Sequence, residues 1–295
     1  MQFGRLLTAM VTPFDDERNI DYEKTKEVIN HLLLNGTEGI VITGTTGESP
    51  TLTEDDKVDF IRFVVQHVDK RIPVIAGTGS NNTQASIVLT KKAETIGVDG
   101  VMLVTPYYNK PSQEGMYQHF KTIAEATSLP VMLYNIPGRS VVGLSVETII
   151  RLSKIKNITS MKEASGNLDM MTTIINETKE NFDLYSGDDS LTLPVLSIGG
   201  RGVVSVSSHI IGNEMQQMIT NYMNGEQRQA SLLHQQLLPT MKALFLAPNP
   251  TPVKEALCMI GLDVGSVRLP LIPLTEEERV RLRGALQITK QEQVV

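Results

Sequence analysis

The chain has no tryptophan, one cysteine and no surplus of basic residues. With Cys258 alone, no intrachain disulfide can form. Cys258 lies in the apolar stretch Glu255-Ala-Leu-Cys-Met-Ile260 and reads as a buried thiol, not a nucleophile. Lys and Arg number 27 against 33 Asp and Glu, a net charge of −6, which argues against the basic face of a nucleic-acid binder. It leaves room for a few local cations around an acidic small molecule. No apolar run approaches the roughly 18 residues that a membrane span needs. The N-terminal Met1-Gln-Phe-Gly-Arg5 lacks the charged-then-apolar pattern of a secretion signal. A soluble protein of the cytoplasm, bound to neither membrane nor nucleic acid, is expected. No phosphate-loop sequence of the Gly-x₄-Gly-Lys-Ser/Thr kind occurs. His31, His67, His119, His209 and His234 show no metal-ligand spacing, and several lie on predicted helix surfaces.

What the 295 residues do contain is a repeated alternation. Apolar, β-branched runs are predicted as strands at Leu6–Phe14, Gly39–Gly44, Pro73–Gly79, Val101–Pro106, Pro130–Ile136, Ile158–Ala164, Phe182–Gly187 and Gly202–Ser207. Most are near-continuous hydrophobic runs, as strands buried on both faces should be. Between them the spacing predicts helices at Tyr22–Asn35, Glu54–Asp69, Thr83–Ile96, Gln113–Thr127, Val146–Lys156, Leu168–Asn181 and Asn213–Asn224, with a short one near Leu191–Ile198. In the second, Val58, Ile61, Val65 and Val68 share a face, and Thr53 with Asp56 supplies a capping pair.

Strand–helix units in such regular succession predict an α/β fold, a closed (β/α)₈ barrel of the TIM type. An open doubly wound sheet would carry a phosphate-binding glycine fingerprint after its first strand, and none stands there. Gly77-Thr-Gly-Ser-Asn-Asn82 follows the third strand, lacks the third glycine, and reads as a tight strand-to-helix turn. After about residue 225 only helices are predicted, at Glu226–Leu246, Pro252–Ile260 and Thr275–Leu286, the last with Thr275 and Glu278 as a capping box. The expected organisation is a catalytic barrel over 1–225 and a small helical appendage over 226–295.

Barrel active sites lie at the C-terminal ends of the strands. Those ends read Thr45-Thr46-Gly47-Glu48, Gly79-Ser80-Asn81, Tyr107-Tyr108-Asn109, Tyr134-Asn135, Lys162-Glu163, Ser186-Gly187-Asp188 and Val204-Ser205. Lys162 is out of character: it sits in an apolar strand, where alternation with outward Met161 turns its side chain into the barrel. Burial disfavours the ammonium form, and a neutral amine attacks carbonyl carbon. The alternative is a structural ion pair with Asp188 or, less well placed on the opposite face, Glu163. Tyr134, ending the neighbouring strand, could shuttle a proton. Gly44-Thr-Thr-Gly47 offers small residues and backbone N–H groups before a helix, either a carboxylate cradle or plain turn chemistry. Tyr107 and Tyr108 fit aromatic packing equally well. Arg139, on the loop after Asn135-Ile-Pro-Gly138, is either solvated or a bidentate carboxylate clamp. Asp188-Asp189 reads as a helix cap before a cation site.

Gly44-Thr-Thr-Gly-Glu-Ser49, Ala76-Gly-Thr-Gly79, Thr105-Pro-Tyr-Tyr-Asn-Lys-Pro111, Tyr134-Asn-Ile-Pro-Gly-Arg139, Lys162-Glu-Ala-Ser-Gly166, Ser186-Gly-Asp-Asp189 and Asn249-Pro-Thr-Pro-Val-Lys254 together resemble the dihydrodipicolinate synthase family, within the pyruvate-dependent N-acetylneuraminate lyase superfamily. The resemblance covers nearly the whole chain. It implies that Lys162 forms an imine with pyruvate, that Tyr134 shuttles protons, and that Thr45 and Tyr108 complete a relay, Tyr108 reaching in from a neighbouring subunit. Thr46 would hold the pyruvate carboxylate, Val204 and Gly187 would belong to the substrate pocket, and Arg139 would anchor the carboxylate of L-aspartate 4-semialdehyde. No metal or organic cofactor is implied, and a homotetramer is expected. Family members inhibited by lysine commonly carry two histidines and a glutamate around an interface site. The matching positions here hold Glu54, Lys57 and Ala85, while Ser49, Asn81 and Tyr107 remain. A sugar-acid aldolase or N-acetylneuraminate lyase would share Lys162 and Tyr134, with Arg139 as the discriminating residue. A catalytically silent metabolite-binding barrel would have no reason to keep Lys162, Tyr134, Thr45 and Tyr108 together.

Overall fold

Runs of Leu, Val, Ile and Met become strands because both faces of each find an apolar partner. The computed structural model describes residues 3–291, with side chains described through residue 286. Met1, Gln2 and the end of the expected appendage, 292–295, lie outside the described residues. The strands are β1 (Leu6–Ala9), β2 (Gly39–Ile42), β3 (Val74–Gly77), β4 (Gly100–Val104), β5 (Val131–Asn135), β6 (Ile158–Glu163), β7 (Asp183–Ser186) and β8 (Gly202–Ser205). They close in chain order into one parallel barrel, β8 pairing β1 with Leu7 opposite Val204. The expected barrel is therefore observed.

Alternation sorts side chains into two cores. Leu7, Val41, Ile75, Met102, Met132, Tyr134, Tyr185 and Val204 fill the barrel interior. Their neighbours Ile40, Val74, Leu133 and Met161 face the helices. Each fully buried aliphatic side chain contributes ~1.5–3 kcal/mol, so the two faces together dominate the fold's stability.

The strands are shorter than their apolar runs. The predicted Leu6–Phe14 strand ends at Ala9. Beyond it, Phe14 N–H donates to Val264 O, and Phe14 pairs antiparallel with Ile20. That stretch is apolar because later parts of the chain cover it, not because the ladder continues. In the helix Glu54–Val68 the capping box forms between Thr53 and Asp56. Its buried stripe is Phe60, Ile61, Val64 and Val68, with Val58 and Val65 half-buried, so the packed face is rotated from the predicted one. The helix predicted from Asn213 starts earlier, at Ser208, and kinks at Ile211. Gly212 explains the hidden start: a Cβ there would lie 2.1 Å from Asn35 O, so the helix passes against that backbone only as glycine.

Beyond the barrel come the helices Gln227–Ala243, Thr251–Met259 and Glu276–Gln291. Thr275 Oγ1 accepts from Glu278 N–H at 3.3 Å, while the Glu278 carboxylate accepts from Thr275 N–H at 2.8 Å. Cys258 corrects an expectation: it is exposed, not buried. Its helix buries Val253, Lys254, Ala256 and Leu257, which leaves position 258 on the solvent side, with Sγ 3.7 Å from Asp263 Oδ1. Among the described residues no helix is long and apolar enough to cross a membrane.

Candidate active site

Lys162 lies within β6, paired with Tyr134 of β5 on one side and Tyr185 of β7 on the other. It is 6% exposed, and its Nζ rests 4.4 Å from the centre of the Tyr134 ring. Among the described residues no carboxylate lies within ion-pair distance of it. Glu163, on the opposite face, accepts instead from Asn135 Nδ2 at 2.8 Å and from Ser165 N–H at 2.7 Å. Burial pushes the Glu163 carboxyl above the usual range, against those hydrogen bonds. Asp188 caps the turn after β7 by accepting from Ser190. Both structural ion-pair alternatives for Lys162 are thereby removed.

Above the strand ends opens a cavity of about 260 Å³ whose wall includes Gly44, Thr45, Tyr107, Tyr134 and Arg139. Thr46, Val204, Gly187, Lys162 and Tyr108 do not form part of that wall. Thr46 is buried and its Oγ1 accepts from Asn249 Nδ2 at 2.9 Å, which leaves the hydroxyl proton free to be donated. The turn itself closes with Glu48 N–H donating to Thr45 O. Among the described residues nothing accepts from the N–H groups of Thr45, Thr46 and Gly47. Adjacent backbone donors of this kind suit an anion without a charged side chain.

Arg139 is exposed on a short helical turn, Pro137–Ser140, and has no ion-pair partner among the described residues. The loop around it is pinned: Ser140 Oγ donates to Val142 O, and Asn135 Oδ1 accepts from Leu144 N–H. Gly187 passes so close to β6 that a Cβ would meet Ala164 Cβ at 2.6 Å. Val204 is buried inside the barrel, and Asp189, fully enclosed, accepts from the N–H groups of Val206 and Ser207 just beyond it.

Tyr108 overturns the aromatic-packing reading. It is 87% exposed and holds a φ of 72°, a conformation rare for a bulky residue. Asn81 Nδ2 donates to Tyr107 O and Asn109 Nδ2 to Asn81 O, so its loop is held while its ring projects outward. Among the described residues no three His, Cys, Asp or Glu side chains converge as metal ligands.

Two contacts of the Gly44–Ser49 turn escaped sequence reasoning. Besides Asn249, Lys254 reaches it, pairing with Glu48 at 2.7 Å where both side chains are essentially inaccessible. Burial pushes the Lys254 ammonium down to about 8, opposed by Glu48. A lysine inside an apolar helix was the available signal, the same one that marked Lys162.

The chain matches the model of the dihydrodipicolinate synthetase family over residues 2–289. It is 64% identical to the 4-hydroxy-tetrahydrodipicolinate synthase of Bacillus velezensis, over 97% of this chain and 99% of that one. A solved dihydrodipicolinate synthase of Bacillus anthracis superposes with a TM-score of 0.96 at 63% identity, covering 97% of this chain and 98% of the other. The synthase of Cyanidioschyzon merolae, solved with lysine bound, superposes equally well, with a TM-score of 0.96 at 45% identity and 98% of each chain covered.

Proposed function

Because the chain belongs to the dihydrodipicolinate synthetase family, we propose that it condenses pyruvate with L-aspartate 4-semialdehyde to give 4-hydroxy-tetrahydrodipicolinate, the committed step towards diaminopimelate and lysine. The observation that carries this reading is Lys162: a lysine enclosed in the barrel, without a carboxylate partner among the described residues, against the ring of Tyr134.

The Lys162 amine attacks the pyruvate carbonyl carbon, and loss of water gives the imine. A proton leaves the pyruvate methyl group to form the enamine, and its carbon adds to the aldehyde carbon. The substrate's own amine then closes the ring on the imine carbon and releases Lys162. Each step moves protons, and Tyr134, whose ring lies against the lysine, donates and accepts them, with Thr45 and a neighbouring subunit's Tyr108 completing the relay. Thr46 and the free N–H groups around it hold the pyruvate carboxylate. Val204 and Gly187 shape the pocket beneath, and Arg139 receives the carboxylate of the semialdehyde. An unpaired arginine on the cavity wall favours this acceptor over an uncharged aldehyde. The lysine serves as electron sink, so the reaction as written needs no metal or organic cofactor. Residues 1–225 act as the catalytic unit with 226–295 as its appendage, and the working form is a cytoplasmic homotetramer.

Incubation with pyruvate and borohydride should add one reduced pyruvate per chain, mapped by peptide mass to Lys162. The same treatment of Lys162→Ala should leave the chain unmodified. Labelling that persists in this variant would remove the lysine from the chemistry.

A further inference from the structure

The Gly44–Ser49 turn closes on its own backbone, with Glu48 N–H donating to Thr45 O and Ser49 N–H to Gly44 O, but its side chains are held from elsewhere. Glu48 has a φ of 54°, a backbone conformation that disfavours a long side chain. Its carboxylate lies in the interior and receives two contacts from beyond the barrel: the Lys254 ammonium at 2.7 Å on Oε1, and Arg268 N–H at 2.8 Å on Oε2. Two residues back along the turn, Thr46 Oγ1 accepts from Asn249 at 2.9 Å. From the barrel Thr12 Oγ1 reaches in, donating to Gly47 O at 2.7 Å. Lys254 is itself fixed, donating to Ser266 O at 3.1 Å with its Nζ 4.0 Å from the centre of the Phe14 ring.

We propose that Lys254 and Asn249 are positioning residues for pyruvate: through Glu48 and Thr46 they aim the Gly44–Ser49 turn so that its N–H groups and the Thr46 hydroxyl converge on the substrate carboxylate. This rests on the reading of Thr45 and Thr46 as the pyruvate contact. Neither Lys254 nor Asn249 belongs to the cavity wall, and neither enters the proton relay. Their effect is confined to one half-reaction. An uncompensated Glu48 carboxylate would turn towards solvent, take the turn with it, and separate donors that act only when they converge. Arg139, on a different loop held by Asn135 and Ser140, would not feel the change.

The experiment compares Lys254→Met and Asn249→Ala with the unmodified chain. Imine formation is titrated by borohydride trapping with pyruvate and, separately, with methyl pyruvate, which lacks the carboxylate charge. The pyruvate concentration for half-maximal trapping should rise about tenfold or more in Lys254→Met and about threefold in Asn249→Ala, as loss of aim on a charged group demands. Methyl pyruvate titrations and the KM for the semialdehyde at saturating pyruvate should stay within about twofold. Equal losses for pyruvate and methyl pyruvate would overturn the proposal, since general loosening produces that pattern. So would unchanged pyruvate titrations in both variants. Should Lys254→Met fail to fold, Asn249→Ala alone decides by the same comparison. Thr46→Val separates this idea from its premise: if that variant also leaves pyruvate untouched, the assignment of the cradle has failed. If it weakens pyruvate while the other two do not, only the positioning role has failed.

Discussion

Lys162 and Lys254 are both nearly inaccessible, at 6% and 2% exposure, yet their surroundings differ in the respect that decides chemistry. Lys254 has a carboxylate at 2.7 Å, whereas Lys162 has an aromatic face. A buried lysine paired with a carboxylate is held in place, whereas one without such a partner keeps its nitrogen available to react. Lys162 was legible in the sequence because strand alternation alone sets its direction. The role of Lys254 was not, because its partner Glu48 is brought to it only by the tertiary fold. A second buried group gives a pH prediction. His209 donates through Nδ1 to Val206 O while Nε2 accepts from Val11 N–H, so both ring nitrogens are satisfied in the neutral form. Burial pushes it down to about 4, whereas an unfolded histidine titrates near ~6.5. Between these values the unfolded chain binds a proton that the folded one refuses, so stability falls as pH drops through that window, by about 3 kcal/mol in total. Glu163 and Asp189, both raised by burial, act in the opposite sense over the carboxylate range. The histidine contribution is therefore isolated by comparing thermal melting of the unmodified protein and His209→Gln at pH 7.5 and pH 5. The unmodified protein should lose more stability between the two, and parallel losses would assign the acid sensitivity elsewhere.

At the scale of elements, helix and strand identity followed from periodicity, while their ends and packed faces depended on neighbours. The helix Thr83–Ile96 has the predicted bounds because Asn82 caps one end and Gly97, at φ 100°, ends the other. Glu54–Val68 was equally well delimited, yet its buried stripe was set by what it packs on. These two helices carry Glu54, Lys57 and Ala85, the positions that the family resemblance links to control by lysine. Lys57 stands on the wall of the same cavity as Ser49 and Tyr107, half-buried, and burial lowers its ammonium below the ordinary value. Glu54, an acid whose charge acts on it, is engaged by Lys92. Ala85 offers no acceptor. A lysine molecule entering there would bring its ammonium towards Lys57 with little to neutralise it. At an effective dielectric near ~20, two unit charges ~5 Å apart repel by roughly 3 kcal/mol, most of the ~4 kcal/mol that a millimolar Kd represents. Initial rates at saturating pyruvate should therefore be insensitive to millimolar L-lysine, and calorimetry should detect no tight binding. Half-inhibition below about a millimolar would show that the substituted site still accepts the effector.

At the scale of the whole molecule, the proposed relay makes a single chain incomplete. The barrel supplies Lys162, Tyr134 and Thr45 from its own strand ends, but Tyr108 stands 87% exposed. From the sequence Tyr108 stands near the mouth with packing and catalysis both open, since nothing in a linear pattern says on which side of a strained loop a ring will stand. The loop is pinned by Asn81 and Asn109, so the ring's projection is not the result of slack. A strained, fixed and exposed aromatic is costly to a monomer and useful to an assembly. On that basis Tyr108 is expected to serve the site of a second copy, and the smallest active species is expected to be a dimer. Mixed subunits test it directly. Lys162→Ala chains lack the nucleophile, and Tyr108→Phe chains lack the donated phenol. In a mixed dimer, the site built on the Tyr108→Phe chain keeps its own Lys162 and receives an intact Tyr108 from its partner. The other site lacks the lysine outright. Co-purified mixed dimers should therefore recover up to about half the activity of the unmodified dimer, well above either parent alone. Activity no higher than that of the Tyr108→Phe parent, in dimers verified as mixed by mass, would return Tyr108 to its own chain's site.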